Sequence, residues 1–521
     1  MDHSIPTLSE DELDPSALPH GGPDSGNVQS ACYIFRLPRE IRDWIYDQYV
    51  QVHGGYIYDP NFGKLTRADD GGKIELRIMR TCRRIWKEME PLPMQRNKIT
   101  FRSSSTSESS SRAGVLHATL HRMERAQWYK LCMIGSEFLT DDVRAKIGNE
   151  FPQFRPVVDG LKALGDQDIE HQIVFNENSK NSWGKAPSIY RDFLQRLFNI
   201  VSQHPDWATR SHKYAEMRRI DADFVASAPK PWSILQTQEV ERIKDVLYPG
   251  QDWQQTAFMM PSDTYTSSAA ALAINFFKSI SATTRKSIRA VELVEDQAAV
   301  AYPECHTRGL ISFCNENPEL RIQRLVNIWK TVLPIVYRRN NFQGQTCLGR
   351  GRITEHVAEW LIEATSLPAL GMPEGCFTLV LDADPLPVEA AQVFDEIIED
   401  SAEQAAMDRS FPQELLDDER WLERRVGCDE RLSLYFEGFP EAMQALTAGN
   451  EGIVRCNFDL SSRVDLEQTI QQHIGLTWGE WQEKRFQRLD EPGPPMPSEE
   501  YLRDNKCLDQ WRLPVHLQSL D

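Results

Sequence analysis

The sequence lacks the features that mark secreted and membrane-spanning proteins. Its ten cysteines are scattered and no two are spaced as Cys-x-x-Cys, which suits a reducing compartment and argues against a disulfide framework. No stretch approaches the roughly 18 uninterrupted apolar residues of a membrane helix. The N-terminus, Met-Asp-His-Ser-Ile-Pro, has neither a basic segment nor an apolar run. We therefore expect a cytoplasmic or nuclear protein that does not bind membranes.

The loops that hold nucleotides and nucleophiles are also absent. The sequence contains no Gly-x-Gly-x-x-Gly, no Gly-Lys-Ser/Thr loop and no Gly-x-Ser-x-Gly elbow. Acidic residues outnumber basic ones, so the formal net charge is −19 and the pI is near 5.2. Because nucleic acids demand concentrated positive charge, this balance argues against a nucleic-acid partner. We predict no catalytic residue and no cofactor.

Composition divides the chain into five segments. Residues 1–30 are acidic and contain no Lys or Arg, so we expect them to be disordered. A Ser-rich run predicts a flexible linker over 103–112, and Glu491-Pro-Gly-Pro-Pro-Met-Pro497 predicts an extended spacer. These breaks leave a module over 31–102, a large body over 113–485 and a Pro-rich tail over 486–521.

Predicted helices alternate with short apolar strands in the body. Helical spacing occurs at 269–280, 355–364, 388–400 and 440–448, and strand patterns occur at 288–294, 376–381, 431–436 and 453–458. Strands separated by helices indicate crossover units and a partly parallel sheet. The sequence therefore predicts a mixed α+β or α/β class, in which a small helical module precedes a large domain of helices alternating with short strands.

The module opens with Phe35-Arg-Leu-Pro-Arg-Glu-Ile-Arg-Asp-Trp-Ile-Tyr46. A proline at the first helical position loses no hydrogen bond, so Leu37-Pro38 predicts a helix that starts at Pro38. At about 100° per residue, the apolar side chains share one arc that we expect to pack inward. This arc contains Ile41, Trp44, Ile45, Tyr49 and Val52. The opposite arc, expected to be solvated, contains Arg39, Glu40, Arg42, Asp43 and Asp47.

A second amphipathic stretch, Ile78-Met-Arg-Thr-Cys-Arg-Arg-Ile-Trp-Lys-Glu88, and a closing Asn97-Lys-Ile-Thr-Phe101 complete the module. The patterns Leu-Pro-x-Glu-Ile-Arg-x-x-Ile-Tyr and Cys-Arg-x-Ile-x-x-Glu resemble the N-terminal module of F-box-like proteins of filamentous fungi. The segment 301–320 resembles a stretch that recurs in the bodies of the same proteins, which implies no activity.

In the F-box family, the Leu-Pro opening and the apolar face of the first helices dock onto the Skp-type adaptor of cullin–RING ubiquitin ligases. The rest of the chain captures a protein substrate. The resemblance implies that Leu37, Pro38, Ile41 and Ile45 bind this adaptor. The alternative is a small helical module that packs only onto its own chain.

One short motif suggests a different class of function. Asp382-Ala-Asp384 directly follows the apolar strand 376–381. Two carboxylates at this spacing can hold a divalent cation, as in metal-dependent transferases and phosphatases. The other interpretation is a strand-to-helix turn in which aspartate side chains accept hydrogen bonds from backbone N–H groups. A non-enzymatic structural or regulatory protein is the third hypothesis.

Histidines and cysteines supply no complete metal-binding set. Cys305, His306 and Cys314 lack a fourth zinc ligand, and we expect buried thiols and a capping histidine. His117 and His121 share a helix face, but the segment between them lacks the glutamate of a zinc-protease motif, so we expect surface histidines. We predict no metal ligand.

Overall fold

A seven-stranded sheet runs through the described part of the chain. The computed structural model describes residues 32–105, 107–165, 186–211, 220–247, 265–333, 350–410, 436–449, 452–460 and 466–477, with a few positions between 479 and 504. The strands are β1 (Tyr56–Asp59), β2 (Lys64–Arg67), β3 (Ile99–Arg102), β4 (Ala290–Glu295), β5 (Arg321–Asn327), β6 (Phe377–Asp382) and β7 (Val454–Cys456).

The strand order is β2-β1-β3-β4-β5-β6-β7. Strands β1 and β2 form an antiparallel hairpin, and the other neighbouring pairs are parallel. Strand β3 lies beside β1, and from β4 onwards each strand lies beside the one before it in the chain, so successive crossovers move in one direction across the sheet. Because such crossovers are right-handed in nearly all proteins, their helices collect on one face. The predicted mixed α/β class with a partly parallel sheet is confirmed.

The two faces of this sheet differ in burial. The main apolar core covers one face, which carries Ile99, Val291, Leu293, Ile322 and Leu379. The alternate positions form the open face, on which exposed or partly exposed side chains include Arg102, Glu292, Gln323, Thr378 and Arg455. Parallel sheets normally have both faces covered by helices. Among the described residues this face is only partly covered, which is unusual for this architecture.

The helices fall into three groups along the chain. The module contains α1 (Arg39–Val50), α2 (Arg83–Met89) and α3 (Leu92–Arg96). The segment between β3 and β4 contains α4 (Ser107–Lys130), α5 (Ser136–Phe138), α6 (Asp141–Glu150), α7 (Arg155–Gly165), α8 (Pro187–Val201), α9 (Trp207–Ser211), α10 (Ala222–Ala226), α11 (Thr237–Leu247), α12 (Ala269–Ser279) and α13 (Ala282–Ser287). The remainder contains α14 (Ile311–Glu316), α15 (Arg350–Thr365), α16 (Pro387–Ser410), α17 (Phe439–Thr447) and α18 (Leu466–His473).

Shorter helical turns join these elements. They are the 3₁₀ helices Tyr33–Arg36, Ile78–Arg80, Pro152–Phe154 and Pro303–Leu310 and the π-helical turns Leu131–Gly135 and Ile328–Val332. The predicted body helices occur as α12, α15, α16 and α17. No helix in the described part of the chain is long and apolar enough to cross a membrane.

A buried ion pair joins strands β4 and β5, and its carboxylate also binds the start of α12. The carboxylate of Glu295 accepts hydrogen bonds from Nε and Nη2 of Arg324 at 3.0 and 2.6 Å. It also accepts the backbone N–H groups of Ala269 and Ala270, at 2.9 and 3.2 Å, and the hydroxyl of Ser103 at 2.7 Å. Burial by itself raises the pKa of Glu295, but Arg324 and these hydrogen bonds lower it, so the carboxylate is charged. The carboxylate thus accepts hydrogen bonds from N–H groups at the start of α12 that have no acceptor within the helix.

Some segment boundaries differ from the sequence predictions. Helix α4 begins at Ser107, inside the predicted flexible linker, and Ser103 at the start of that linker is buried. Serine is only moderately unfavourable in helices, so the helix-forming sequence after residue 112 extends back into the serine run. Strand β3 pairs with β4, so the predicted module shares one sheet with the body. Residues 1–30, 431–435 and most of 486–521 lie outside the described residues.

Candidate functional site

Helix α1 begins one residue later than the sequence predicts. Pro38 is the N-cap residue, with φ −50° and ψ 153°, and its carbonyl oxygen accepts a hydrogen bond from the N–H of Arg42 at 3.2 Å. Proline fits this position because its ring fixes φ near the observed value and no helical acceptor waits for its missing N–H. Leu37-Pro38 therefore opens the helix, and Arg39 is its first helical residue.

The inward face of α1 carries a charged side chain. Arg42, Tyr46 and Val50, spaced four residues apart, are its buried residues. Arg42 donates hydrogen bonds from Nε and Nη2 to the carboxylate of Glu88 in α2, at 3.1 and 2.9 Å, and from Nη1 to the carbonyl oxygen of Leu37 at 2.8 Å. The hydroxyl of Tyr46 donates to Glu88 at 3.0 Å. A bidentate ion pair thus joins the two helices.

The protonation states of this cluster follow from its contacts. Burial by itself raises the pKa of Glu88, but hydrogen bonds from Arg42, Arg84 and Tyr46 lower it to about 2. Burial, supplemented by the hydrogen bond to Glu88, raises the pKa of Tyr46 to about 12. At neutral pH the cluster therefore consists of a cation, a carboxylate and a neutral phenol.

The prediction that the apolar arc of α1 packs inward is wrong for its first half. Ile41 and Trp44 are 46% and 65% exposed, whereas Arg42, expected to face solvent, is 4% exposed. Arg42 is buried because the carboxylate of Glu88 accepts its hydrogen bonds and balances its charge. Glu88 lies 46 residues away in the sequence and satisfies the guanidinium of Arg42, and helical periodicity contains no information about such a contact. Tyr49 in the second half of the arc is partly buried.

An apolar strip remains on the outside of α1. We call it the α1 patch and define it as Leu37, Pro38, Ile41, Trp44 and Ile45, which share one helix face by their spacing. Leu37 is 37% exposed, Pro38 is exposed and Ile45 is partly buried. Three of the eight large apolar side chains that are exposed in the described residues belong to this patch, Leu37, Ile41 and Trp44, and a fourth, Tyr33, lies four residues before it in the sequence. Grouped exposure of this kind marks interaction sites.

The module fills its own small core without the α1 patch. That core consists of Tyr46, Val50, Met79, Ile85 and Met89. The residues predicted to dock, Leu37, Pro38, Ile41 and Ile45, are therefore brought together on one side of α1. The residues predicted to dock did not include Trp44. The signal was available for Trp44, which lies three residues after Ile41 on the same face.

Asp382 and Asp384 lie at the carboxyl end of β6. The side-chain amides of Asn327 and Asn457 donate hydrogen bonds to the two carboxylate oxygens of Asp382, at 3.3 and 2.6 Å. Asp382 also accepts the N–H of Asp384 at 3.1 Å, which is the contact expected of an aspartate turn. Asn327 ends β5 and Asn457 follows β7, so the three side chains meet at one edge of the sheet. The described residues contain no group of three or more His, Cys, Asp or Glu placed to hold a metal ion.

The histidines and cysteines serve packing and hydrogen bonding. Cys305 and Cys314 are buried thiols, as expected. His306 is buried and contacts the carbonyl oxygen of Ala301 at 2.8 Å through Nε2 and the hydroxyl of Ser268 at 2.6 Å through Nδ1. Since a carbonyl can only accept, Nε2 carries the proton. Burial lowers the pKa of His306 to about 4, so the ring is neutral.

His117 and His121 are not surface residues, contrary to the prediction from sequence. Both are partly buried. His117 Nδ1 accepts the N–H of Ala301 at 3.2 Å, and the ring of His121 lies 4.9 Å from that of Tyr302. The two histidines therefore support the loop that follows β4, which periodicity within α4 does not reveal.

No family model matches the chain, and no similar curated protein or solved structure is found.

Proposed function

We propose that this chain is an F-box-like adaptor, in which the α1 patch docks onto a Skp-type subunit of a cullin–RING ubiquitin ligase and the α/β body binds a protein substrate. The observation that carries the proposal is the orientation of α1. A helix that buries an arginine while exposing Ile41 and Trp44 presents its apolar side to a partner.

The composition of the α1 patch suits a protein interface. Its central residues, Ile41 and Trp44, are a branched aliphatic and a tryptophan, and tryptophan is among the residues that dominate binding energy. Charged side chains border the strip, since Arg39 donates a hydrogen bond to Asp43 at 2.7 Å at the surface. An apolar centre with a polar rim is the usual anatomy of a protein–protein interface.

The open face of the sheet supports the second half of the proposal. Its exposed surface carries both signs of charge in ion pairs, Lys98 with Glu292 and Arg102 with Asp296, each at 2.6 Å. A mixed, hydrogen-bonding surface of this kind favours a protein partner over a polyanion, because a nucleic acid requires excess positive charge. We therefore place the substrate on this face.

Co-purification of the full chain with a Skp-type adaptor tests the docking step. We expect the wild-type chain to form a specific complex and the double variant Ile41→Asp plus Trp44→Ala to lose it. Val388→Asp is the matched control, because Val388 is a 66% exposed apolar residue of α16 in the body. It should retain the complex. Failure of the wild-type chain to form the complex rejects the proposal and favours the structural or regulatory alternative.

A further inference from the structure

The module carries an excess of positive charge within an acidic chain. Residues 32–102 contain fourteen Lys and Arg against nine Asp and Glu, whereas the whole chain contains 58 against 77. Four of these cations fall within eight residues on α2 and on the 3₁₀ helix Ile78–Arg80 before it. We call them the α2 surface and define it as Arg80, Arg83, Arg84 and Lys87, all of which are exposed. The α1 patch does not include this surface.

The α2 surface borders the α1 patch. Arg84 donates from Nε to a carboxylate oxygen of Glu88 at 3.1 Å, and Nη1 of Arg39, in the first turn of α1, lies 3.3 Å from the same oxygen. The guanidinium carbon of Arg84 also lies 4.5 Å from the centre of the Phe35 ring. Phe35 is two residues before Leu37, where the α1 patch begins. A partner that covers the α1 patch therefore meets the α2 surface beside it.

The carboxylates of the module do not balance the α2 surface. The side chain of Glu88 is only 8% exposed, and its carboxylate is shared among three arginines of the two helices, Arg39, Arg42 and Arg84. Arg80 and Lys87 form no ion pair with any residue that the structure describes. The α2 surface thus keeps positive charge on side chains that a partner can reach.

The position of this charge indicates the chemistry of the partner. Exposed cations beside an apolar strip correspond to the polar rim of a protein interface. Rim charges attract a partner of opposite sign and fix its orientation, so the complementary surface is rich in carboxylates. A nucleic acid fits less well, because the strip adjoins an apolar surface and the net charge of −19 repels a polyanion.

We propose that the α2 surface receives an acidic segment of the same subunit that covers the α1 patch. Carboxylates of this segment pair with the α2 surface while apolar side chains of the subunit lie against Ile41 and Trp44. The inference rests on the proposed function, because the α1 patch defines the partner. The α2 surface acts on association: its attraction extends about 10 Å at 0.1 M salt and speeds productive encounters, and the apolar contact then holds the complex.

Biolayer interferometry of the full chain with a Skp-type adaptor, in about 50 to 500 mM sodium chloride, tests the proposal. We expect the association rate constant of the wild type to fall about tenfold or more over this range, while the dissociation rate constant changes less than about threefold. The variant Arg80→Glu plus Lys87→Glu should associate about tenfold more slowly than the wild type at 50 mM and respond little to salt.

The matched control is Lys146→Glu plus Arg155→Glu, which changes the net charge by the same amount on α6 and α7. Both residues are exposed, and the Arg155 side chain is 73% exposed. This control should associate within about threefold of the wild type, because its charges lie outside the proposed interface. Circular dichroism monitors folding. If the reversed pair on the α2 surface does not fold, Arg80→Gln plus Lys87→Gln decides the result, with association expected to slow about threefold.

The outcomes separate this inference from the proposed function. A complex whose association rate ignores salt, or a variant of the α2 surface that associates as fast as the wild type, overturns the inference and leaves adaptor docking intact. Absence of a complex at every salt concentration rejects both. Tighter binding of a 20-base-pair DNA duplex than of the adaptor, lost in Arg80→Glu plus Lys87→Glu, would assign the α2 surface to a nucleic acid and overturn the inference as well.

Discussion

Replacing Glu88 by glutamine tests which side of α1 faces the module. The carboxylate of Glu88 accepts four hydrogen bonds, two from Arg42 and one each from Tyr46 and Arg84. Glutamine has the same size but carries no charge and replaces one acceptor oxygen by a donor. The variant Glu88→Gln therefore leaves the guanidinium of Arg42, 5% exposed, without its counter-ion.

Removing one partner of a fully buried ion pair costs about 3–5 kcal/mol. We expect about 2–3 kcal/mol here, because the exposed side chains of Arg39 and Arg84 bring solvent to the edge of the cluster and screen it. Hydrogen exchange of the α1 amides, followed by mass spectrometry, measures this cost locally. A loss of that size accelerates exchange about 30- to 150-fold.

Ile41→Ser is the matched comparison on the other face of the same helix. Ile41 is 46% exposed, and surface substitutions usually change the free energy of unfolding by less than about 0.5 kcal/mol. We expect exchange in α1 to change about twofold or less. Faster exchange in Ile41→Ser than in Glu88→Gln would mean that the apolar face of α1 packs inward, and the assignment of the α1 patch as a docking surface would be wrong.

Three further predictions concern pH and the buried polar groups. The pKa of Glu88 is about 2 in the folded chain and about 4.3 when unfolded, so its contribution to the free energy of unfolding is present above about pH 4.3 and lost as the pH falls towards 2. Glu88→Gln should flatten that part of an acid-unfolding curve. The pKa of His306 is lowered to about 4, so as the pH falls the unfolded chain takes up this proton before the folded chain does. The free energy of unfolding should therefore fall by about 3 kcal/mol between about pH 6.5 and 4, and His306→Gln should abolish this slope in urea titrations. Arg324→Met leaves Glu295 buried without its cation and should cost about 3–5 kcal/mol in the same assay, and a loss below about 1 kcal/mol would contradict the role given to this pair.

The sheet could be anticipated because its signals are local. Alternating burial in β4 and the apolar run of β6 appear directly in the sequence, and helices between them indicate crossovers. The strand order and the joining of β3 to β4 could not be derived, because 187 residues separate the two strands and no local pattern encodes such a pairing.

The polar contacts were the least predictable part. Arg42 was assigned to solvent because an arginine on a helix is usually solvated, yet Glu88 makes its burial favourable. Similarly, nothing in the spacing of Asn327, Asp382 and Asn457 indicates that their side chains meet, since each comes from a different part of the sheet. Charged and amide side chains depend on partners from distant segments, whereas apolar side chains reveal their environment through periodicity alone.

The affinity of the purified chain for a Skp-type adaptor, measured by biolayer interferometry for the wild type and for Trp44→Ala, tests the proposed function most directly. Trp44 is 65% exposed, which for a side chain of roughly 250 Å² is about 160 Å² of surface. At about 25 cal/mol per Å², full coverage contributes about 4 kcal/mol. Allowing for incomplete contact, we expect Trp44→Ala to weaken binding about 30- to 1000-fold, with Val388→Ala unchanged. Absence of wild-type binding, or equal affinity in Trp44→Ala, would contradict docking through the α1 patch.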